Sequence, residues 1–276
     1  MKSIPTSFRK KSTTPKIECV EIFLFIILIL AISCSRHSTS STSPGFADYE
    51  SFVSSYSKKT DPAVEIYGQY AAEQSNRKVR AKFNLLLDPG ERAYVEILDP
   101  SDRLMNVLSL SQTRIALLWV KDNSYIQEEA TPQNLKAILG LPVNPDDALQ
   151  LISGQGLQFS AWQEAETFKN GWRLIRGSSS ARIIAKENLS KIETTTNQGK
   201  FLTHYENYEL LSDKSLPTRI RFELPQRKTN LELRISKYLP RIEESTPDLF
   251  EIKVPANARK LDLKDIYRGT PLLMEN

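Results

Sequence analysis

The sequence predicts a mainly β fold: about 11 to 12 strands in one antiparallel meander, with two short helices inserted near the middle. Three observations predict it. Between residues 63 and 238, short β-rich segments follow one another with turn residues between them. Their apolar positions recur with a period of two, so each strand has one apolar face. Only around residues 131–153 does the period change to that of a helix. A dozen strands in sequence order should curl or close rather than stay flat.

The chain opens on a basic leader, with Lys2, Arg9, Lys10, Lys11 and Lys16 against Glu18 and Glu21. Twelve apolar or small residues follow, Ile22 to Ser33. A spanning helix needs about 20, whereas this length suits the apolar region of a signal peptide behind a positive end. Ala31-Ile32-Ser33-Cys34 is similar to the bacterial lipobox. That similarity implies removal of residues 1–33 as a signal peptide, diacylation of Cys34 and a membrane anchor of two acyl chains. Ser35, where an Asp would resemble an inner-membrane retention signal, points to outer-membrane sorting. Residues 34–60 read as a Ser/Thr-rich tether, since Ser35 to Ser43 offer nothing to bury. Tyr49, Phe52, Val53 and Tyr56 suit a short helix docking on the domain that fills residues 61–276.

Val64 to Ala72 reads as the first strand. Val79, Ala81, Phe83, Leu85 and Leu87 alternate with mostly polar residues, and Ala93, Val95 and Ile97 answer them after Asp88-Pro89-Gly90-Glu91. That turn has a mechanism, proline fixing φ and glycine accepting positive φ, so residues 79–98 form a hairpin. After the turn at Asp99-Pro100-Ser101-Asp102, further strands run over Leu104 to Leu110, Thr113 to Val120 and Asn123 to Glu128.

Thr131-Pro132 then starts a helix, with a capping hydroxyl and proline in the first turn. Leu135, Ile138 and Leu139 form its stripe and Gly140 stops it. Asn144-Pro145 starts a second, with Ala148, Leu149 and Ile152 as its stripe and Gly154 at its end. Helices this short are marginal alone, so the stripes must lie on an apolar surface. Strands resume over Leu157 to Trp162, Gly171 to Gly177, Ala181 to Lys186, Lys191 to Thr195, Phe201 to Leu211, Thr218 to Leu224 and Asn230 to Tyr238. Trp162 and Trp172 flank an expected hairpin turn and should pack across strands.

Composition excludes several functions. The leader holds five of 37 basic and two of 33 acidic residues, so the 243 residues from Cys34 onward carry 32 against 31. A near-neutral domain gives no electrostatic ground for nucleic acid. Cys34 would be consumed by lipid and Cys19 removed with the leader, which leaves no disulfide. His37 and His204 are isolated, so no metal site or cofactor is expected. No G-x-S-x-G exists, Gly177-Ser178-Ser179-Ser180 is a turn, and Gly154-Gln155-Gly156 follows a helix rather than a strand. No enzymatic activity is expected. Asp146 and Asp147 occupy a helix's first turn, where carboxylates complement the dipole. Arg219, Arg221, Glu232 and Arg234 read as a solvent face paired across strands.

A lipobox, a long meander and a two-helix insertion together resemble the LolA/LolB family of lipoprotein-localisation factors. The stretches ILDPSDRL from Ile97 and NLKAILGLPVNPDDALQLISG from Asn134 are similar to the strand–turn–strand and the helix–break–helix of its outer-membrane receptor, LolB. The chain departs from that receptor at Ser101 and Asp102, which stand where it carries an apolar loop residue. The resemblance implies an incomplete antiparallel β-barrel with a two-helix lid over an apolar concave face. It also implies an outer-membrane protein facing the periplasm that binds the acyl chains of lipoproteins or other lipids, with a periplasmic carrier protein as a further partner. The expected lining is Phe83, Leu85, Leu87, Val95, Ile97, Ile115, Leu117 and Trp119, with Leu135, Ile138, Leu139, Leu149 and Ile152 from the lid. The alternative is a scaffold lipoprotein of an assembly or export complex, whose concave face is filled by these same side chains.

Overall fold

A computed structural model describes residues 48–57, 63–74, 77–88, 91–211, 214–241 and 247–266. The leader, the lipobox, Cys34 and His37 lie outside the described residues. Helix α1 (Tyr49–Ser57) is followed by strands β1 (Val64–Gln74), β2 (Arg77–Asp88), β3 (Arg92–Leu98), β4 (Leu104–Ser111), β5 (Arg114–Trp119) and β6 (Ser124–Glu129). Helices α2 (Pro132–Ile138) and α3 (Pro145–Ile152) and a 3-10 turn (Phe159–Ala161) come next. The second strand series is β7 (Gln163–Phe168), β8 (Gly171–Arg176), β9 (Ser179–Ala185), β10 (Leu189–Thr196), β11 (Gly199–Leu211), β12 (Lys214–Leu224) and β13 (Thr229–Pro240). A 3-10 turn (Pro225–Arg227) joins β12 to β13, and a tail adds a further 3-10 turn at Pro247–Phe250, the two-residue β14 (Arg259–Lys260) and α4 (Leu263–Ile266).

All fourteen strands form one sheet in the order β14-β6-β5-β4-β3-β2-β1-β13-β12-β11-β10-β9-β8-β7. The sheet is unclosed: β7 lies at one end and β14 beside β6 at the other. Every pairing is antiparallel except β14 with β6. The expected single meander in sequence order is thereby corrected to two meanders, β1–β6 and β7–β13, joined where β1 pairs with β13. Order along the chain fixes neighbours joined by hairpins; it does not say that the last long strand returns to the first. The chain must pass from one end of the sheet to the other after β6. That passage carries α2 and α3.

A second correction concerns Leu157 to Trp162, which is no strand. Leu157, Phe159 and Trp162 are buried anchors around the 3-10 turn. The strand there is β7, QEAETF, exposed along nearly all its length. An end strand wet on both faces carries no alternation to read. Trp162 and Trp172 also differ from expectation: Trp172 stacks on Phe52 of α1 at 4.7 Å, and Trp162 lies under the Arg176 guanidinium at 4.4 Å.

The helices form as their end signals dictate. Thr131 Oγ1 accepts the Asn134 N–H at 3.2 Å, Pro132 opens α2, and Gly140 follows it with φ +82°. A Cβ at Gly140 would meet Leu224 at 2.9 Å, so glycine serves both the turn and the close packing. The tail covers the outer side of the first meander. Phe250 is buried beneath Arg92, 4.6 Å from ring centre to guanidinium, and its carbonyl accepts from Ser109 Oγ at 2.5 Å. Val107, Ala116 and Leu118, on the same side of β4 and β5 as Ser109 and outside the main core, are buried as well.

Candidate functional site

The inward faces of β1, β2, β3, β4, β12 and β13 and the helical crossing enclose a partly open apolar cavity of about 100 Å³. Its wall is a contiguous patch set by strand register. Leu85 pairs with Val95 and Val95 with Leu108; Phe83 pairs with Ile97. Tyr70 pairs with Leu233 across the β1–β13 seam, and Leu231 pairs with Phe222. Leu139, Leu141 and Ile152 close it from the helices. The inward neighbours on β1 and β2 are small: Gly68 lies opposite Phe83, and Ala81 opposite Tyr70. Gly68 sits at a bulge in β1, where a Cβ would meet the Arg234 carbonyl at 2.2 Å. Its missing side chain lets the seam and the Phe83 ring come together beside the cavity.

Of the expected lining residues, Phe83, Leu85, Val95, Ile97, Leu139 and Ile152 border this cavity. Leu87, Ile115, Leu117, Trp119, Leu135, Ile138 and Leu149 lie instead in the packed interior around it, all buried. Tyr70, Leu108, Leu141, Phe222, Leu231 and Leu233 also border the cavity and escape a reading of the sequence. Leu231 and Leu233 do alternate with Glu232 and Arg234. What the sequence lacks is the seam that sets them beside Tyr70.

Polar ties hold the helical crossing, mostly to the second meander. Lys136 Nζ donates to the Gln198 carbonyl at 2.6 Å, and Arg227 donates to the Lys136 carbonyl at 2.5 Å. Tyr205 Oη donates to the Leu151 carbonyl at 3.3 Å. Asp147, fully buried in the first turn of α3, pairs with Arg176 of β8 and accepts the Gln158 N–H at 3.1 Å. Beside it, burial and then the Asp147 charge raise the Asp146 carboxyl, against the opposing pull of Arg176 and a hydrogen bond from Gln112. Gln112 lies at the tip between β4 and β5, so the start of α3 reaches both meanders.

On the far side of β12, Arg219 bridges Glu206 and Glu232 at 3.0 and 2.7 Å, and Arg221 reaches Glu206 at 2.6 Å. This is the cross-strand pairing expected of a wet face. His204 lies 3.1 Å from Glu223, and burial, more than any neighbouring charge, lowers its pKa. Among the described residues no three His, Cys, Asp or Glu side chains gather where they could hold a metal ion.

No protein-family model and no curated protein sequence matches the chain. Solved structures similar to it include a LolA superfamily protein from Nitrosomonas europaea, at 12% identity and TM-score 0.48, covering 74% of this chain and 97% of that one. A DUF1329 family protein from Desulfovibrio piger aligns at 8% identity and TM-score 0.49, over 72% and 96%. A domain assigned to outer-membrane lipoprotein sorting, from Vibrio parahaemolyticus, aligns at 12% and 0.47, over 68% and 88%.

Proposed function

We propose that this protein binds acyl chains of lipoproteins, by non-covalent capture and release, and assists their localisation at the outer membrane. The cavity between the sheet and the helical crossing carries this reading: eleven of its twelve lining side chains are aliphatic or Phe, with Tyr70 the exception. Residues 1–33 act as a signal peptide, residues 34–60 as a tether whose helix α1 docks on the domain, and Cys34 as the lipid anchor that keeps the domain facing the periplasm. A LolB-like recipient role, with a periplasmic carrier as donor, follows from the lipobox together with the helix–break–helix over residues 134–154.

The magnitude of the cavity says what must move. Apolar cavities of about 150 Å³ hold one benzene, so about 100 Å³ holds the end of a chain and not the whole of it. Each methylene shielded from water contributes about 0.8 kcal/mol. A longer segment enters only if Leu139, Leu141 and Ile152 move outward. Polar ties bind the crossing mainly to the second meander, so the first-meander side is where it opens.

A fluorescent fatty-acyl probe is expected to bind the purified protein saturably and to be displaced by unlabelled acyl chains. A photo-crosslinker at Leu139 or Leu231 should capture co-expressed lipoproteins in cells. The absence of both saturable binding and an adduct would favour the scaffold reading, to which the packed environment of Leu117, Leu135 and Leu149 lends support. The anchor has its own test: Cys34→Ser should move the protein from the membrane fraction to the soluble one, and unchanged membrane association would remove Cys34 from the account.

A further inference from the structure

We infer that the cavity takes an acyl chain through its neutral carbonyl, an ester or amide oxygen that accepts a hydrogen bond from the Tyr70 hydroxyl. This rests on the acyl-binding reading and names which part of the ligand the site holds. Tyr70 borders the cavity and is only 4% exposed; its hydroxyl is sealed from the open space and has no hydrogen-bond partner among the described residues, so a ligand oxygen meets it as the wall side chains part. Buried tyrosine hydroxyls usually find one, and an unpaired buried polar group costs free energy that a ligand acceptor would recover.

Among the described residues no acceptor pairs with the Tyr70 hydroxyl. The inward residues beside Tyr70 across the two flanking strands are Ala81 and Leu233. The backbone groups of β1 are engaged in ladders on both sides. Burial alone raises the phenol's pKa, so it stays a donor at any physiological pH. The sign of the ligand follows from the same wall. No cation lines this cavity, so an ionised carboxylate within it would be stripped of water with nothing to balance it; Lys78, Arg80 and Arg234 line a separate polar cleft that Tyr70 also borders. A carbonyl of an ester or amide needs only one donor. The chain ahead of it then lies against Phe83, Val95 and Leu233.

The test uses the purified full-length protein and Tyr70→Phe, which keeps the ring. Methyl decanoate, decanoate and undecane compete against a fluorescent acyl probe. Loss of the hydroxyl should weaken methyl decanoate about three- to tenfold, leave undecane unchanged, and leave decanoate the weaker of the two oxygen-bearing ligands. The carbonyl infrared band of isotope-labelled methyl decanoate should lie lower in the wild type than in the variant. Without ligand, the variant should melt at the same temperature or higher. Equal effects on ester and alkane, no effect on either, tighter binding of decanoate than of its ester, or a lower melting temperature would each overturn the assignment. Failure of every probe to bind the wild type is a different result, and it removes the acyl-binding reading itself.

Discussion

Arg176→Met is expected to destabilise the protein by about 3 to 5 kcal/mol, the cost of leaving a buried charge without its partner. Asp147 is fully buried at the start of α3, and Arg176 is the cation it meets. With methionine there, the Gln158 N–H and the α3 dipole remain to stabilise the carboxylate. The variant also loses the guanidinium stacked on Trp162. Urea unfolding measures the change. The double variant Arg176→Met, Asp147→Leu should recover much of it, because replacing both members of a buried pair by apolar residues is often close to neutral. A single-variant loss below about 1 kcal/mol would mean that the pair behaves as a surface one, and that α3 is not latched to β8 by it.

Leu233→Trp is expected to weaken acyl-probe binding more than tenfold while the domain stays folded. Leu233 is a half-buried wall residue beside Tyr70, and an indole there would occupy much of a space of about 100 Å³. Overpacking a tight core costs about 1 to 3 kcal/mol, but this cavity is partly open and the ring can lean outward. Leu210→Trp is the control, since Leu210 is 76% exposed and borders no part of the cavity. Equal binding by the Leu233 variant and the control would place the acyl chain elsewhere. A large fall in melting temperature with retained binding would point the same way, because the space would then be core.

The two corrections to the fold share a cause. Period-two alternation reports one wet and one dry face, and it located β2, β3, β11, β12 and β13 because each has both. β7 is wet on nearly every residue, so its pattern is silent. Leu157, Phe159 and Trp162 are dry without being a strand, so apolar content there suggested one. The two inserted helices were legible because their end signals are local: a capping hydroxyl at Thr131, proline at Pro132 and Pro145, and glycine at Gly140 and Gly154.

The expected lining came from the strands that share a hairpin or a helix with their neighbours, and six of its thirteen members border the cavity. Tyr70, Phe222, Leu231 and Leu233 needed a different kind of information. They meet at the seam between β1 and strands some 150 residues further along the chain. Nothing local in either segment encodes that meeting. The pairing of Asp147 with Arg176 is equally non-local: a first-turn aspartate is explained by its helix dipole alone, and only the packed structure shows it buried against β8.

The sequence by itself determined the class of fold, the helical pair, and an apolar inner face on each alternating strand, because residue type and spacing act over a few positions. Only the tertiary structure decided which strand returns to which, where the crossing helices are latched, and that a single hydroxyl is left unpaired in an apolar wall. Those depend on contacts between residues far apart in the chain, whose distances the order of amino acids does not state.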